Sequence, residues 1–424
     1  MNILVIGNGF DLAHELPTRY KDFLEWIKAE YALYFEDCRN RSVASDAVKV
    51  DWPIKISPSK ITVKAINNVN IQTEIWECIN NNFWIDYFLN NSRYINENWI
   101  DFESEVSKVI QSLDGDMHGL NENEIYNLDD KIISLSNDYL REKYSECTLV
   151  VQQINMLSGK GSPKSITFKE IRNRLLNDLN KLIRVLEIYL ATYVNEAKHS
   201  EELSVIKDIF EKKDEQGNVT AFIDTKILSF NYTETFKRIY KHNFDIDYIH
   251  GKADINNTID TNNMVLGIDE YLPKKRKDKD IKFIAFKKFY QRIYKGTGCK
   301  YKEWIDTIKG DFADYQTELE KSKTEKNTMN QKVIVNKLKK QYLNKHHVYI
   351  FGHSLDVTDK DILSDLILND NVQTTIFYHD KDAMGQQIAN LVKVIGQDEL
   401  IRRTGGITKT IEFKLQQDMV PIVN

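Results

Sequence analysis

The chain has 424 residues, of which 42% are apolar and 29% are charged, and its formal net charge is −5 at pH 7. This composition predicts a sizeable core and a solvated globular surface. The acidic balance provides no overall basic field, so nucleic acid is not favoured as a partner. The four cysteines form no CxxC pair, which argues against a zinc ribbon and a redox site. We expect them to be reduced thiols.

The beginning of the chain does not resemble a signal peptide. It lacks a basic segment, and Asp11 and Glu15 interrupt any apolar stretch. No apolar run approaches the ~18 residues needed to span a bilayer. We therefore predict a cytoplasmic protein with no membrane partner.

The first predicted element is a buried strand over residues 2–6, followed by a turn at Gly7-Asn8-Gly9. A helix is predicted over 18–35, with Thr18 as its N-cap. Strand patterns then become sparse, and leucines recur at helical spacing over 167–198. We therefore predict a largely helical insertion over 70–220.

Strand patterns return in the second half of the chain. They lie at 227–230, 246–249, 264–266, 347–351 and 374–378. A helical excursion at about 270–345 contains a basic run and a helix ending near Asn344. Because the strands lie at both ends of the chain, we predict one α/β core formed by 1–40 plus 221–424. Its expected architecture is a Rossmann-like parallel sheet.

Four polar motifs immediately follow predicted strands. They are Gly7-Asn8-Gly9-Phe10-Asp11, Asn231-Tyr232-Thr233, His250-Gly251 and Gly352-His353-Ser354-Leu355-Asp356. The carboxyl ends of parallel strands share one edge of a sheet, and ligands of open α/β sheets bind there. The motifs are therefore predicted to form one crevice.

Each motif has a functional and a structural interpretation. The first two glycines allow a diphosphate to approach the backbone, or they form an ordinary β–α turn. Asn231 contacts a ligand or caps the next helix. His250 suits acid–base chemistry near neutral pH, or it hydrogen-bonds a neighbouring loop. The last motif meets a ligand, or it is a second turn with Ser354 or Asp356 as the cap.

A fifth candidate, Trp99-Ile100-Asp101-Phe102-Glu103, lies in the predicted insertion. Carboxylates two residues apart do not share a helix face, so a helix start capped by Asp101 is the favoured interpretation. The alternative is a metal site of a nuclease, with the basic run at 274–282 contacting nucleic acid. The favoured interpretation of that run is a solvated loop. The sequence shows no metal-ligand cluster.

In their order along the chain, these motifs resemble the AbiH abortive-infection family. The resemblance also includes Leu16-Pro17-Thr18-Arg19-Tyr20 and runs from residue 1 to about 365. It implies a function in defence against phage. AbiH proteins are in turn distantly similar to sirtuin-like domains that consume NAD, so the resemblance implies NAD as the ligand or substrate.

By this similarity, Asn231 holds the nicotinamide ribose or a water, His250 is the general base and Asp11 stabilises positive charge. The remaining residues implied in NAD binding are Gly7, Asn8, Gly9, Phe10, Thr18, Tyr232, Gly251, Gly352, His353, Ser354 and Leu355. Thr233 replaces a sirtuin aspartate, and the zinc cysteines of deacylases are missing, so a deacylase is not expected.

The implied activity is hydrolysis of NAD to nicotinamide and ADP-ribose. Two alternatives stay open: a module that senses a nucleotide without chemistry, and a metal-dependent nuclease. The expected partner is a small nucleotide. A partner defence protein, a phage trigger and a homo-oligomer are left open by the sequence.

Overall fold

A computed structural model describes residues 1–41, 69–90, 101–115, 132–133, 166–323, 328–343, 345–406 and 409–416. The chain divides into two compact units. Unit 1 comprises Met1–Leu16, Ala197–Lys252 and Arg292–Asn424, and unit 2 comprises Pro17–Glu196 and Ala253–Gln291. These boundaries differ from the predicted domain limits of 1–40, 70–220 and 221–424. In particular, residues Ala253–Gln291 belong to unit 2, together with most of the predicted insertion.

Unit 1 is built on a six-stranded sheet. Its strands are β1 (Asn2–Ile6), β2 (Thr225–Ser229), β3 (Asp245–Tyr248), β4 (His346–Phe351), β5 (Val372–Tyr378) and β6 (Ile411–Leu415). Their order is β3-β2-β1-β4-β5-β6, and every neighbouring pair is parallel. The prediction of an α/β protein with a parallel sheet is confirmed. The strand order reverses between β1 and β4, the two strands at the centre.

The register of the central strands aligns their carboxyl ends. Ile6 pairs with Ser229 of β2 and with Phe351 of β4, and Ser229 pairs with Tyr248 of β3. The residues that follow these four strands therefore emerge at one edge of the sheet. The sequence motifs begin at this edge.

Both faces of the sheet are covered by helices. Alternate side chains of a strand point to opposite faces, and accordingly Ile3 and Val5 belong to one apolar cluster while Leu4 and Ile6 belong to another. The first cluster contains side chains of helices Tyr301–Ser322, Lys360–Ile367 and Lys381–Ile395. The second contains those of Asn8–Ala13, Ser204–Phe210 and Thr235–Ile239. Burial on both faces explains why the strands are nearly continuous apolar runs.

Unit 1 also contains peripheral elements. They are helices Thr328–Tyr342 and Gln397–Thr404, the 3-10 turn Val357–Asp359, and an antiparallel pair of strands, Glu211–Lys213 and Val219–Phe222. Helix Lys288–Lys295 crosses the boundary between the units. Within β3, Asp247 accepts a hydrogen bond from the Tyr301 N–H at 2.8 Å and so binds the start of helix Tyr301–Ser322.

The described part of unit 2 is mainly helical. Its helices are Tyr20–Arg41, Val69–Ile79, Phe83–Asn90, Phe102–Gly115 and Phe168–Tyr189, continued by a π-helix at Leu190–Val194, and a 3-10 turn lies at Ile284–Phe286. A two-residue antiparallel pair joins Ile132–Ile133 to Ile166–Thr167. The ring of Phe102 is stacked between those of Tyr20 and Phe88, with centroids 4.1 and 4.0 Å away. No described helix has the length and apolarity needed to cross a membrane.

Two local predictions are wrong. Residues 264–266 are buried but form no strand, and the Gln291 side chain instead bonds both the N–H and the carbonyl of Leu266. This segment is therefore apolar because it is buried, although it does not belong to a sheet. Thr18 does not cap the first long helix, since its hydroxyl is buried and lacks a partner among the described residues. Instead, Asp22 accepts a hydrogen bond from the Arg19 N–H at 3.1 Å.

Candidate functional site

The segment after β1, which leads directly into helix Asn8–Ala13, packs through its backbone against the segment after β4; we call these two segments the loops after β1 and β4. The Gly9 N–H donates to the Gly352 carbonyl at 2.8 Å, and the Gly7 N–H donates to the Phe351 carbonyl at 3.2 Å. A Cβ on Gly352 would lie 2.2 Å from the Phe10 nitrogen, and Gly352 has a φ of +67°. These glycines are therefore needed for contact between the two loops. The carbonyl of Gly352, rather than a diphosphate, is bonded to the Gly9 N–H.

The loop after β2 is bonded to the loop after β1. Asn231 is buried, and its amide nitrogen donates to the Gly7 carbonyl at 3.0 Å. The next helix begins at Thr235 with Glu234 as its N-cap residue, so Asn231 is not the cap of that helix. The Asn231 side chain thus joins two strand ends that are far apart in sequence.

Asp11 is a buried carboxylate at this edge, with an exposed fraction of 1%. Its Oδ2 accepts a hydrogen bond from the Thr233 hydroxyl at 2.5 Å, and the Thr235 hydroxyl donates to Thr233 at 3.0 Å. Burial raises the pKa of Asp11 to about 6, although the Thr233 hydrogen bond and the charge of Arg238 oppose the shift. A carboxyl group that titrates near neutral pH suits acid–base or electrostatic catalysis.

His250 and His353 meet at a third buried side chain, Asp359. His250 Nε2 lies 3.1 Å from Asp359 Oδ1, and His353 Nε2 lies 3.5 Å from Asp359 Oδ2. All three residues are buried. Asp359 was not among the predicted site residues, because it lies beyond the strand-end motif in a 3-10 turn. The only sequence signal was an acidic residue just after that motif.

Aromatic side chains connect these histidines to the loop after β2. The Phe230 ring makes T-shaped contacts with His353 at 4.3 Å and with His250 at 5.4 Å. Tyr232 lies 6.5 Å from His250 between ring centroids. Both neighbours of Asn231 in the chain therefore contact His250. The four predicted motifs come together in the structure at the carboxyl edge of the sheet.

Other predicted residues have different environments. The Phe10 and Leu355 side chains are fully buried in the two apolar clusters, and their predicted contact with a ligand stays a prediction. Asn8, the first residue of helix Asn8–Ala13, and Ser354, in the loop after β4, are exposed. Gly251 has a φ of +76° in a turn closed by its N–H to the Tyr248 carbonyl. Thr18 lies in unit 2.

The last motif also contains a cap. Asp356 accepts a hydrogen bond from the Thr358 N–H at 3.0 Å and caps the turn Val357–Asp359. This confirms the alternative in which Asp356 has a structural role. Ser354 is not the N-cap of that turn, and its carbonyl accepts a hydrogen bond from the Asn390 amide at 2.9 Å.

The acidic candidates of unit 2 have structural partners. Asp101 Oδ1 accepts a hydrogen bond from the Ser104 N–H at 3.1 Å, which confirms the predicted helix cap. Glu103 forms an ion pair with Lys288 at 2.7 Å. Trp99 and Ile100 lie outside the described residues. Within the described ranges, no three His, Cys, Asp or Glu side chains are grouped in a way that could hold a metal ion.

The basic run is partly neutralised by acidic residues of the same unit. Arg276 contacts Asp114 at 3.3 Å and Asp280 at 2.6 Å, and Lys282 contacts Asp114 at 3.0 Å. Lysines 274, 275, 277 and 279 of the run are exposed. These ion pairs account for two of its cations without a nucleic acid.

One further histidine lies beside the first helix. His14 is fully buried, with Nδ1 2.8 Å from the Phe10 carbonyl and Nε2 3.2 Å from the Tyr240 hydroxyl. Burial lowers its pKa to about 4, so the ring is neutral at physiological pH. We interpret His14 as a structural side chain that stabilises the packing of this helix.

Comparison with known proteins supports the sequence resemblance. The family model described as bacteriophage abortive infection AbiH matches residues 3–380, a range that contains all the strand-end motifs and strands β1 to β5 except the first residue of β1. Neither the curated proteins nor the solved structures include a significant match to the chain. The family match extends over most of the sequence. The chain therefore belongs to the AbiH family of bacteriophage abortive infection proteins.

Proposed function

We propose that this protein acts in abortive infection by binding NAD at the carboxyl edge of its sheet and hydrolysing it to nicotinamide and ADP-ribose. The family supports the defence role. The strand order β3-β2-β1-β4-β5-β6 supports a nucleotide ligand, since dinucleotide-binding Rossmann sheets have this order and bind where it reverses. A Rossmann-like and sirtuin-like relationship is part of this proposal.

The observation that carries the enzymatic part is the hydrogen bond between His250 and Asp359 at 3.1 Å. A buried imidazole held by a carboxylate is the arrangement that general bases need, because the carboxylate orients the ring and stabilises its protonated form. His250 lies two residues beyond β3, next to the loops at the switch point between β1 and β4. Its position at the edge where α/β sheets bind their ligands supports the proposal that His250 is the base.

The contact between Thr233 and Asp11 supports the same function. The sirtuin pattern has an aspartate at the position of Thr233, and here the Thr233 hydroxyl donates to the Asp11 carboxylate at 2.5 Å. A carboxylate is thus present beside Thr233, although another loop supplies it. In this proposal, the negative charge of Asp11 stabilises the positive charge that develops on the ribose during cleavage.

In the proposed reaction, the bond between ribose C1′ and the nicotinamide nitrogen breaks, and its electron pair neutralises the pyridinium. Asp11 stabilises the cationic sugar. A water oxygen forms the new bond to C1′, and His250 accepts the proton of that water. Because the Asn231 amide nitrogen is bonded to Gly7, its carbonyl oxygen is the atom that orients the water or a ribose hydroxyl. The products are nicotinamide, ADP-ribose and a proton.

The test is direct measurement of both products after incubating purified protein with NAD. The assay is run alone and with a lysate of phage-infected cells as the activator. His250→Ala should lower the rate ~10²–10⁴-fold, the usual contribution of a positioned base. His379→Ala is the matched control, because His379 has a side chain that is 65% exposed. No turnover under either condition would exclude the hydrolase.

A second candidate is a module that senses NAD or ADP-ribose without cleaving it. One observation favours it: both the Gly9 N–H and the Asn231 amide nitrogen, two expected ligand contacts, are bonded within the protein. Calorimetric titration with each nucleotide, followed by product analysis of the same sample, separates the two functions. Binding with intact NAD supports sensing, and release of nicotinamide supports hydrolysis.

A further inference from the structure

The Asp359 carboxylate lies beside two imidazoles: Oδ1 is hydrogen-bonded to His250 Nε2 at 3.1 Å, and Oδ2 lies 3.5 Å from His353 Nε2. We propose that Asp359 is a positioning residue that sets the tautomer of His250. It thereby makes Nδ1 of His250 the nitrogen that accepts the proton. The catalytic consequence rests on the proposed function, whereas the tautomers can be measured independently of it.

The tautomer of His353 follows from its hydrogen bond with the Leu355 N–H. Its Nδ1 accepts a hydrogen bond from the Leu355 N–H at 2.9 Å, so this nitrogen holds a lone pair. In a neutral imidazole the hydrogen must then be on Nε2. That nitrogen lies 3.5 Å from Asp359 Oδ2, a contact longer than an ordinary hydrogen bond, so the Leu355 N–H determines this tautomer.

The tautomer of His250 follows from its hydrogen bond with Asp359. Its Nε2 lies 3.1 Å from Asp359 Oδ1, and a carboxylate oxygen accepts a hydrogen from a neutral ring. Nε2 therefore carries the hydrogen, and Nδ1 carries the lone pair. When Nδ1 takes a proton from water, the resulting imidazolium still donates to Asp359, whose negative charge stabilises it.

The position of Asp359 is itself well determined by the fold. The turn Val357–Asp359 is capped by Asp356, and the Asp359 N–H donates to the Asp356 carbonyl at 3.2 Å. The following helix, Lys360–Ile367, places Ile362 and Leu363 fully inside the core. On the other side, Phe230 packs edge-on against both rings. The carboxylate and the two imidazoles are therefore held from three elements of unit 1.

The tautomers are tested by long-range ¹H–¹⁵N correlation spectra of protein labelled with ¹⁵N at histidine. His250→Gln and His353→Gln assign the signals, since each variant removes one ring. Both rings should have hydrogen on Nε2 in the unsubstituted protein. In Asp359→Asn, whose amide can donate to Nε2, His250 should change to Nδ1–H or to a mixture. Asp361→Asn is the matched control, because Asp361 lies on the next helix and its side chain is 55% exposed.

Kinetics give the second readout. Asp359→Asn should lower kcat by up to ~10⁴-fold, the loss that follows replacement of the orienting carboxylate in serine proteases, and leave the Kd for NAD within about a factor of three. Asp359→Glu keeps the charge and should recover part of kcat. An equal loss of binding and kcat, or full activity of Asp359→Asn, contradicts a positioning role.

The outcomes separate the two proposals. A His250 signal with hydrogen on Nδ1 in the unsubstituted protein, or no change in Asp359→Asn, overturns the role of Asp359 even if NAD is cleaved. The expected tautomers without NAD turnover overturn the hydrolase and leave the assignment of Asp359 intact. If Asp359→Asn does not fold, the spectrum of the unsubstituted protein and Asp359→Glu still decide.

Discussion

Two buried carboxylates at the same sheet edge have very different partners. Asp11 accepts a hydrogen bond from the Thr233 hydroxyl, and its burial raises the pKa to about 6. Asp359 faces the ring nitrogens of His250 and His353. Burial disfavours a charge, whereas donors that point at it favour the charge. Location alone therefore does not give an aspartate its role; the donors around it do.

Under the proposed function, these different partners give Asp11 and Asp359 different roles. Asp11, with a neutral hydroxyl as its donor, is suited to respond to a positive charge that develops on a ligand. Asp359 is suited to orient His250. The close contact between the loops after β1 and β4 holds the two carboxylates at the same edge of the sheet. The strongest test is therefore a substitution that forces these two loops apart.

Gly352→Ala should have the largest effect. The added Cβ would lie 2.2 Å from the Phe10 nitrogen, and the φ of +67° strains any residue other than glycine. We expect the free energy of unfolding to fall by at least ~3 kcal/mol, and activity to fall with it. Urea denaturation of both proteins measures the loss.

Gly385→Ala is the control for this substitution. Gly385 lies within helix Lys381–Ile395, and a Cβ there would have no neighbour within 4 Å. It should stabilise the protein by ~0.5–1 kcal/mol, the usual gain of alanine over glycine in a helix. Equal stabilities of the two variants would show that the loops after β1 and β4 do not need their close contact.

Asp11→Asn should stabilise the protein above pH 6 while reducing its activity. The folded-state pKa of about 6 exceeds the ordinary value of 3.8, so the folded protein binds the proton more tightly. Stability from this group is therefore present below pH 4 and is lost as the pH rises to about 6. Removing the charge should recover up to ~3 kcal/mol at pH 8. Urea denaturation at pH 4, 6 and 8 gives the difference between variant and parent.

The difference in the free energy of unfolding between Asp11→Asn and the parent protein should be near zero at pH 4 and reach its plateau above pH 6. Asp361→Asn, at an exposed position, should show no such pH dependence. A variant less stable than the parent at pH 8 would show that Asp11 has a favourable charged partner. The contrast between Asp11 and Asp359 would then disappear.

Asp101→Ala should have the smallest effect. Asp101 caps helix Phe102–Gly115 through the Ser104 N–H, and losing such a cap typically costs ~1 kcal/mol. Asp101→Asn retains a capping oxygen and should be nearly neutral. Thermal denaturation measures both. Metal-dependent cleavage of nucleic acid that is lost in Asp101→Asn would support the nuclease alternative and contradict a purely structural role.

Much of the sheet could be predicted from sequence. The predicted strands over 2–6, 227–230, 246–249, 347–351 and 374–378 each overlap one of the strands β1 to β5. The edge strand β6 was missed, because Lys414 and Leu415 are exposed and the strand lacks a buried apolar run. The run at 264–266 was misread for the opposite reason, since it is buried without being in a sheet.

The candidate site was predicted unevenly. His250 and Asp11 were predicted as site residues because each follows a strand, where an edge residue can reach a ligand. Phe10 and Leu355 were placed with them by position, but their side chains point into the core. Asp359 could not be recognised, since it is 109 residues from His250 in the chain and its contact depends on the packing of two loops.

By itself, the sequence determined where buried strands end and which polar residues follow them. This information is local, because periodicity and turn residues act over a few positions. Only the tertiary structure decided which strands are neighbours and that Gly352 lies against Gly9. It also decided that Asp11 is buried beside a threonine while Asp359 meets two histidines. These outcomes depend on contacts between distant segments, and local patterns do not contain them.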